Sequence, residues 1–487
     1  MRPLPLVLSL LLLAALPARA DDAAPTLTLE DAIRLALSRN KELKVTSFDR
    51  GITRANLLAA RGAFDPAFTA NGSKSQTREE ASLGQLQLDT LKTDQLSVGV
   101  TGMLPIGTTY TLTGSTQDVR DFLSGYGRNY QTFGGFTVTQ PLLKGFGFAA
   151  NLENIRVAKA NRSISDLQYR QSAILTVTSV VVSYSNLLLA HDQLEAARRS
   201  RSLAAELLTG NEKEYKVGNI SKSDVTTARF FVASQEESIV VAERSVRDNQ
   251  NQLRELIGDE VFLEQEPLFV LAPAPVFDVH VDLKADLERA LATRPDYAQA
   301  RLAIQKGRAV EAAALNGLLP QVDFVGGYGY NGLGYTFPAS RQMVQDHQNP
   351  SYSAGLAVTI PLTFSTGRGT LRAARLTRQQ SEEDLRRLES DIAVGLANAA
   401  GQIETTRRRV AADQAAYALA REALDAEEKK KRAGTSTTLA VVQQQQFVTE
   451  AEVNLSLALA AQRQAVAAYD QALGTTLERY RVKLADE

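Results

Sequence analysis

The stretch "GGFTVTQPLLKGFGFAANLENIRVAKANRSISDL", Gly134 to Leu167, changes its periodicity partway along. Phe136 and Val138 alternate with Thr137 and Thr139 as in a strand, Pro141 intervenes, and from Asn151 to Val217 helix formers run without a proline. A second stretch, "GLAVTIPLTFSTGRGTLRAARL", Gly355 to Leu376, makes the same change at Pro361. Proline lacks the N–H that would continue a ladder and fixes its own φ, so it suits a handover from strand to helix.

The two stretches belong to a duplication. "DAIRLALSRNKEL" (Asp31 to Leu43) resembles "ADLERALATRPDY" (Ala285 to Tyr297) at an offset of 254, and Pro66 falls on Pro320 at that offset. Pro141 meets Pro361 at 220, and Gly218 meets Gly434 at 216. The first half therefore carries 34 extra residues between its prolines, and its long helix is longer by 4, about one turn. The expected organisation is a signal peptide at 1–20, a first repeat at 21–270 with strands about 66–140, and a second at 271–487 with strands about 320–362. The repeats are expected to form one intertwined unit.

Arg2, the apolar run from Pro5 to Ala15 and Ala18-Arg19-Ala20 read as a secretory signal with its cleavage site. Removing Arg2 and Arg19 from the 54 basic residues leaves 52 against 55 acidic ones, which is no footprint for nucleic acid. With 0 cysteines the exported chain has neither disulfides nor a lipid-anchor site. After the signal, no run reads as the 18 to 20 apolar residues of a spanning helix, the best being "AILTVTSVVVSY". A membrane would have to be crossed by strands in a closed barrel.

Helix from Asn151 to Val217 would measure about 100 Å, far beyond one globular core, so it must lie along other helices. The return helix, Ser221 to Leu256, supplies about 54 Å, and a helix from Leu283 to Leu315 about 50 Å more. These two are expected to stack end to end against the first long helix. The C-terminal and N-terminal helices would match the second, Arg368 to Ala433, with 271–281 crossing the middle.

Val322, Phe324, Tyr328 and Tyr330 alternate with small or polar residues, and Tyr352, Ala354, Leu356, Val358, Ile360 and Leu362 alternate with Ser353, Gly355, Ala357 and Thr359. That pattern suits a barrel wall with lipid outside and water inside, and equally a half-buried sheet of a soluble domain. Two strands per half give four per chain, whose raw edges call for more copies. Three copies would close twelve strands around an aqueous lumen.

The duplicated halves, the proline junctions, "VTQPLLKGFG" and the paired glycines resemble the TolC-like outer-membrane efflux family over essentially the whole mature chain. The resemblance implies a mainly helical homotrimer, with a twelve-stranded outer-membrane β-barrel continuous with a long periplasmic α-helical barrel. It also implies a periplasmic adaptor and an inner-membrane pump of the RND or ABC type as partners. Outer-membrane lipid would meet Phe136, Val138, Tyr352, Leu356, Val358 and Ile360, and Pro66, Pro141, Pro320 and Pro361 would mark the strand-helix junctions. "LSVGVTGMLPIGTTYTLTGS", Leu96 to Ser115, departs from the simplest form of that fold. It reads as a further hairpin around Pro105-Ile106-Gly107, either in the wall or in its outer loops.

By the same resemblance, Gly218, Asn219, Ile220, Ser221, Gly434, Thr435 and Ser436 sit at periplasmic tips where the adaptor docks. The residues themselves explain no more than helix-helix turns. Asp224 stands where the family's pore-side aspartate would, giving a ring of three at the constriction. Ala440, Gln443 and Ser436 stand where family members often carry charged residues, which leaves the usual gate bonding open, and Asp224 reads equally as an exposed helical acid. "EEKKKR", Glu427 to Arg432, suits a helix C-terminus by its dipole and is also an adaptor-recognition candidate.

"GYGYNG", Gly327 to Gly332, has the G-x-G-x-x-G spelling without the strand-turn-helix setting that a dinucleotide needs. His191, His280 and His347 lack metal spacing. No nucleophile is paired with a base, so no enzyme, metal or cofactor is expected. The expectation is a passive export duct of a tripartite efflux or type I secretion system. Its rivals are a surface-anchored adhesive coiled coil, which would lack lipid-facing strands, and a diffusion porin, which would be nearly all strand.

Overall fold

The computed structural model describes residues 26–80, 88–121, 127–258, 270–275 and 277–484, so the expected signal peptide lies outside the described residues. The first half runs β1 (Thr26–Leu27), α1 (Leu29–Arg39), α2 (Lys41–Arg61), β2 (Ala67–Glu80), β3 (Leu88–Met103), β4 (Thr109–Asp121) and β5 (Gly127–Pro141). It continues with the short α3 (Phe148–Asn151), the long α4 (Glu153–Lys216) and the return helix α5 (Lys222–Leu256). The second half runs β6 (Val270–Leu271), α6 (Leu283–Thr293), α7 (Pro295–Asn316), β7 (Gln321–Gly334), α8 (Phe337–Gln345) and β8 (Pro350–Thr359). The long α9 (Ser365–Arg432), the return helix α10 (Thr438–Leu473) and α11 (Thr476–Arg479) complete it.

α4 has 64 residues and α9 has 68, rods of about 100 Å each, so the first half's long helix is shorter by 4 rather than longer, its extra residues lying in the passage from Pro141 through α3. The tip half of α4 lies beside both return helices, with Arg201 bonded to Glu236 of α5 at 3.1 Å and Gln464 of α10 bonded to Asn186 at 2.6 Å. Its other half lies beside α2 and α7, through Arg50–Asp166 at 2.9 Å and Lys306–Asn161 at 3.3 Å. The apolar run that seemed too short for a membrane lies midway along α4. By length and composition a window of α4 would cross a bilayer, but 67% of it is buried within the chain. Ile174, Val177, Val180, Tyr184 and Leu187 spend that apolarity on the main core.

Helix stacking differs from the expected pairing. α5 ends against the start of α2, where the Asn40 amide donates to Leu256 O at 2.9 Å. α10 ends against the start of α7, where the Arg294 guanidinium donates to Ala472 O at 2.9 Å. Each half thus completes its own second rod, instead of α5 meeting α7. The cause is local: Asn40 and Arg294, 254 apart, both cap a helix and turn the chain into the next. The expected continuous helix over 283–315 is likewise broken, because Pro295 forces Arg294 out of the helical region to ψ 125°.

The mid-length strap is held by α4. β1 pairs in parallel with β6, and the buried Tyr184 hydroxyl lies 3.0 Å from Leu27 O and 2.7 Å from Ala272 O.

The sheet holds six strands in the order β2-β3-β4-β5-β7-β8, every neighbouring pair antiparallel. The expectation of two strands per half holds for the second half and falls short in the first. Leu88 to Asp121, β3 with β4, spans 34 residues, the size of the excess between the first half's prolines. The Leu96–Ser115 hairpin is therefore part of the sheet, and among the described residues the expected four sheet strands per chain are corrected to six.

Candidate functional site

The sheet has two unlike faces. Register carries Phe68 through Val100, Leu112, Phe136 and Tyr328 to Tyr352, one apolar row across all six strands. One residue along, the opposite face reads Thr69, Gly99, Thr113, Gly135, Gly329 and Ser351. Val138, Leu356 and Val358 share the apolar face by the period-two alternation, and Ile360 follows just beyond β8. Phe68 is 72% exposed, Tyr352 84% and Leu356 67%, which is costly in water and ordinary in lipid.

Toward the outer ends of the strands the apolar face gives way to charge. Lys74 reaches Asp94 at 3.3 Å, Arg120 joins Asp94 at 3.5 Å and Asp118 at 2.8 Å, and Arg128 closes on Asp118 at 2.6 Å. This network ties β2, β3, β4 and β5 together where an apolar band would meet headgroups and water. Sequence reading missed it, because its pairs between strands, from Arg128–Asp118 at 10 residues to Arg120–Asp94 at 26, meet only once the register is known.

The four prolines lie at the four passages between sheet and helices. Pro66 precedes β2, Pro141 ends β5, Pro320 precedes β7 and Pro361 follows β8. Beyond Pro141 the chain holds on to its neighbour strand, with Leu142 N donating to Val322 O at 2.7 Å. Gly145 and Gly147 then take φ of +86° and +90°, which turns the chain into α3. Asn316 accepts from Gly145 N at 2.6 Å, and the Asn151 amide donates to Gly145 O at 2.7 Å and Gly147 O at 2.9 Å. Neither asparagine was given this role from the sequence, although Asn151 lies in the quoted stretch that follows Pro141 and Asn316 lies four residues before Pro320.

At the far end of the rods, Gly218 and Gly434 adopt φ of +81° and +77°. Asn219 N returns to Glu214 O and Thr435 N to Lys430 O, each at 3.0 Å, so both turns end their long helix by the same left-handed cap. Ser221 and Asp224 form a reciprocal capping box, with the Ser221 hydroxyl 2.6 Å from the Asp224 carboxylate. Asp224 thus has a local role in starting α5. Thr437 caps α10 by accepting from Ala440 N at 3.2 Å, while the Ser436 hydroxyl donates to Glu427. Gln443 lies within α10 and Ile220 between the glycine and the cap.

The two tips are stitched together by a residue that sequence reading passed over. Asn211 of α4 is fully buried; its amide nitrogen reaches Thr438 Oγ1 at 3.2 Å, and its oxygen accepts from Lys431 Nζ at 2.7 Å. Burial lowers the Lys431 pKa, opposed by the charges of Glu214 and Asp224. One asparagine inside a 64-residue helix gives no signal until the neighbouring rods are placed.

Among the described residues no group of three His, Cys, Asp or Glu is placed to hold a metal ion. "GYGYNG" is strand β7, as its aromatic alternation implies. A sheet apolar on one face and small or polar on the other, continued through prolines into matched helical rods, defines a channel subunit that crosses a membrane by strands.

The sequence profile of the outer membrane efflux protein family matches residues 32–259 and 287–475, one block in each half, and the chain belongs to that family. Over 270 residues it is 26% identical to the alkaline protease secretion protein AprF of Pseudomonas aeruginosa. That match covers 53% of this chain and 51% of the relative, about half of each. The fold is similar to that of the Campylobacter jejuni CmeC outer membrane channel, with a TM-score of 0.67 at 15% identity over 92% of this chain and 86% of that one. It is also similar to the open state of the Neisseria gonorrhoeae MtrE outer membrane channel, with a TM-score of 0.67 at 18% identity over 92% and 89%.

Proposed function

We propose that the chain is the outer-membrane channel of a tripartite efflux or type I secretion system, a passive duct assembled from three copies. One observation carries this reading: a sheet with a continuous apolar row is joined directly to rods of about 100 Å. A soluble sheet would not present Phe68, Tyr352 and Leu356 to water, and a porin would not carry the rods.

In this reading the strands cross the outer membrane and the helices form a tube through the periplasm. The tips at Gly218, Asn219, Ile220, Ser221, Gly434, Thr435 and Ser436 dock a periplasmic adaptor, and an inner-membrane pump supplies the energy. Three Asp224 carboxylates around the axis would make a cation-favouring constriction. The likeness to a secretion protein supports polypeptides among the cargoes.

The test uses the full chain, purified in detergent. Light scattering should give the mass of three copies, and a photo-cross-linker at Thr435 should capture an adaptor in intact envelopes. A monodisperse monomer, or a tip that captures nothing in cells exporting cargo, would overturn the reading.

A further inference from the structure

The two halves differ by one hairpin, and its placement bears on the bore of the channel. β3 and β4 lie between β2 and β5 in the hydrogen-bonded order, with no counterpart in the second half. Their turn docks on the helix-side junction: Gly147 N donates to Ile106 O at 2.9 Å, and a Cβ on Gly107 would come within 2.2 Å of Gly145 O. The hairpin therefore runs the full height of the sheet. Val100 and Leu112 continue the apolar row through it, and the charged network crosses it.

The register also drifts as a barrel requires. Following partners from Ala67 through Thr101, Thr111, Thr137 and Gly327 leads to Ser353, six residues short of the strand end at Thr359. Five strand steps of about 4.8 Å against six residues of about 3.3 Å correspond to a tilt of roughly 40°, within the range of closed barrels. The first and last strands, β2 and β8, are exposed on both faces wherever side chains are described, and they run in opposite directions.

We propose that β2 of one copy pairs with β8 of the next, so that three chains close a barrel of eighteen strands rather than twelve. The proposal rests on the three-copy reading above. At one tilt, eighteen strands give a backbone radius of about 18 Å and twelve about 12 Å. Each chain supplies four helical rows: α4, α9, α2 on α5, and α7 on α10. Twelve rows spaced 8 to 10 Å apart close at a radius of roughly 15 to 19 Å. An eighteen-stranded wall thus meets the helical tube without narrowing. Its inner face of Thr69, Thr101, Thr113, Thr137 and small residues carries mainly hydroxyls, with Asp323 toward the helix-side end, which suits bulky, hydrated cargo such as an extended polypeptide.

The chain has no cysteine, so edge pairing can be read directly. Ala67→Cys is combined with Thr359→Cys, and separately with Ala357→Cys, covering the register steps of zero and two residues that the sheet itself shows. Oxidation in outer-membrane vesicles should give a covalent trimer on denaturing gels for one of the two. Electron cryomicroscopy of the unmodified trimer should then count eighteen strands. Removal of 88–121 should leave twelve and reduce the barrel radius by about one third, at equal tilt. A trimer with twelve strands and the hairpin off the wall would overturn this proposal and leave the three-copy reading intact. A bond formed within one monomer would overturn both. Should the deletion variant fail to fold, the strand count of the intact trimer decides alone.

Discussion

Tyr184 is the residue on which the middle of the molecule turns. Its hydroxyl lies between Leu27 O and Ala272 O, 157 and 88 residues away in sequence, and burial pushes its pKa up to about 12, so it stays neutral. Tyr184→Phe keeps the ring and removes the bond, which should cost about 1 kcal/mol and loosen the strap. Limited proteolysis should then cut faster at 270–282, with the trimer retained. The tip network invites a paired test. Asn211→Leu leaves Lys431 half buried without its acceptor, and should cost about 1 to 3 kcal/mol in thermal denaturation. Adding Lys431→Met should recover part of that loss, because the group left unpaired is then gone. Sequence reading found the apolar run that contains Tyr184 and the lysines beside Gly434, but not the partners of either. Both sets of contacts form between rods whose relative height no single segment encodes.

At the scale of elements, glycines with the same backbone conformation have different surroundings. Gly434 has φ +77° and open space around an added Cβ, so Gly434→Ala should cost only the left-handed strain, about 1 to 2 kcal/mol. Gly474 has φ +75°, and its Cβ would also press at 3.2 Å on the Arg294 backbone, where α10 meets α7. Gly474→Ala should therefore lower the melting temperature clearly more than Gly434→Ala. The clamp between α7 and α9 should show in the acid limb of stability. The Glu311 carboxyl is held below its usual value first by the hydrogen bond from Arg378, and further by Arg375. A depressed folded-state pKa stabilises fully above the unfolded value of about 4.5 and is lost as pH falls further. Glu311→Gln should thus be less stable near neutrality and lose less than wild type between pH 5 and 3, as read by melting curves. The long helices, the glycine caps and the second-half strands were legible because each rests on contiguous residues. Which short helix completes which rod was not, since length arithmetic fits either pairing and only Asn40 and Arg294 decide it. The hairpin was legible as strands, but its place in the ladder depended on neighbours far away in sequence.

For the whole molecule, the decisive question is which surface meets lipid, and adjacent residues of β4 pose it cleanly. Leu112 stands in the apolar row between Val100 and Phe136, and Thr113 beside it stands between Gly99 and Gly135 on the other face. If β4 forms part of a membrane wall, Leu112→Arg puts a charge into hydrocarbon, at a cost of about 2 to 4 kcal/mol near the bilayer midplane. Thr113→Arg puts the same charge into a water-filled lumen, where it is hydrated at little cost. The pair shares a strand, a depth and an introduced charge, so the difference between them reads the environment. Leu112→Arg should reduce assembled trimer in outer-membrane fractions severalfold, while Thr113→Arg should assemble normally and shift the ion preference of the conductance toward anions. Equal tolerance of both substitutions would place β4 in water on both faces, and the hairpin would then be an appendage outside the barrel.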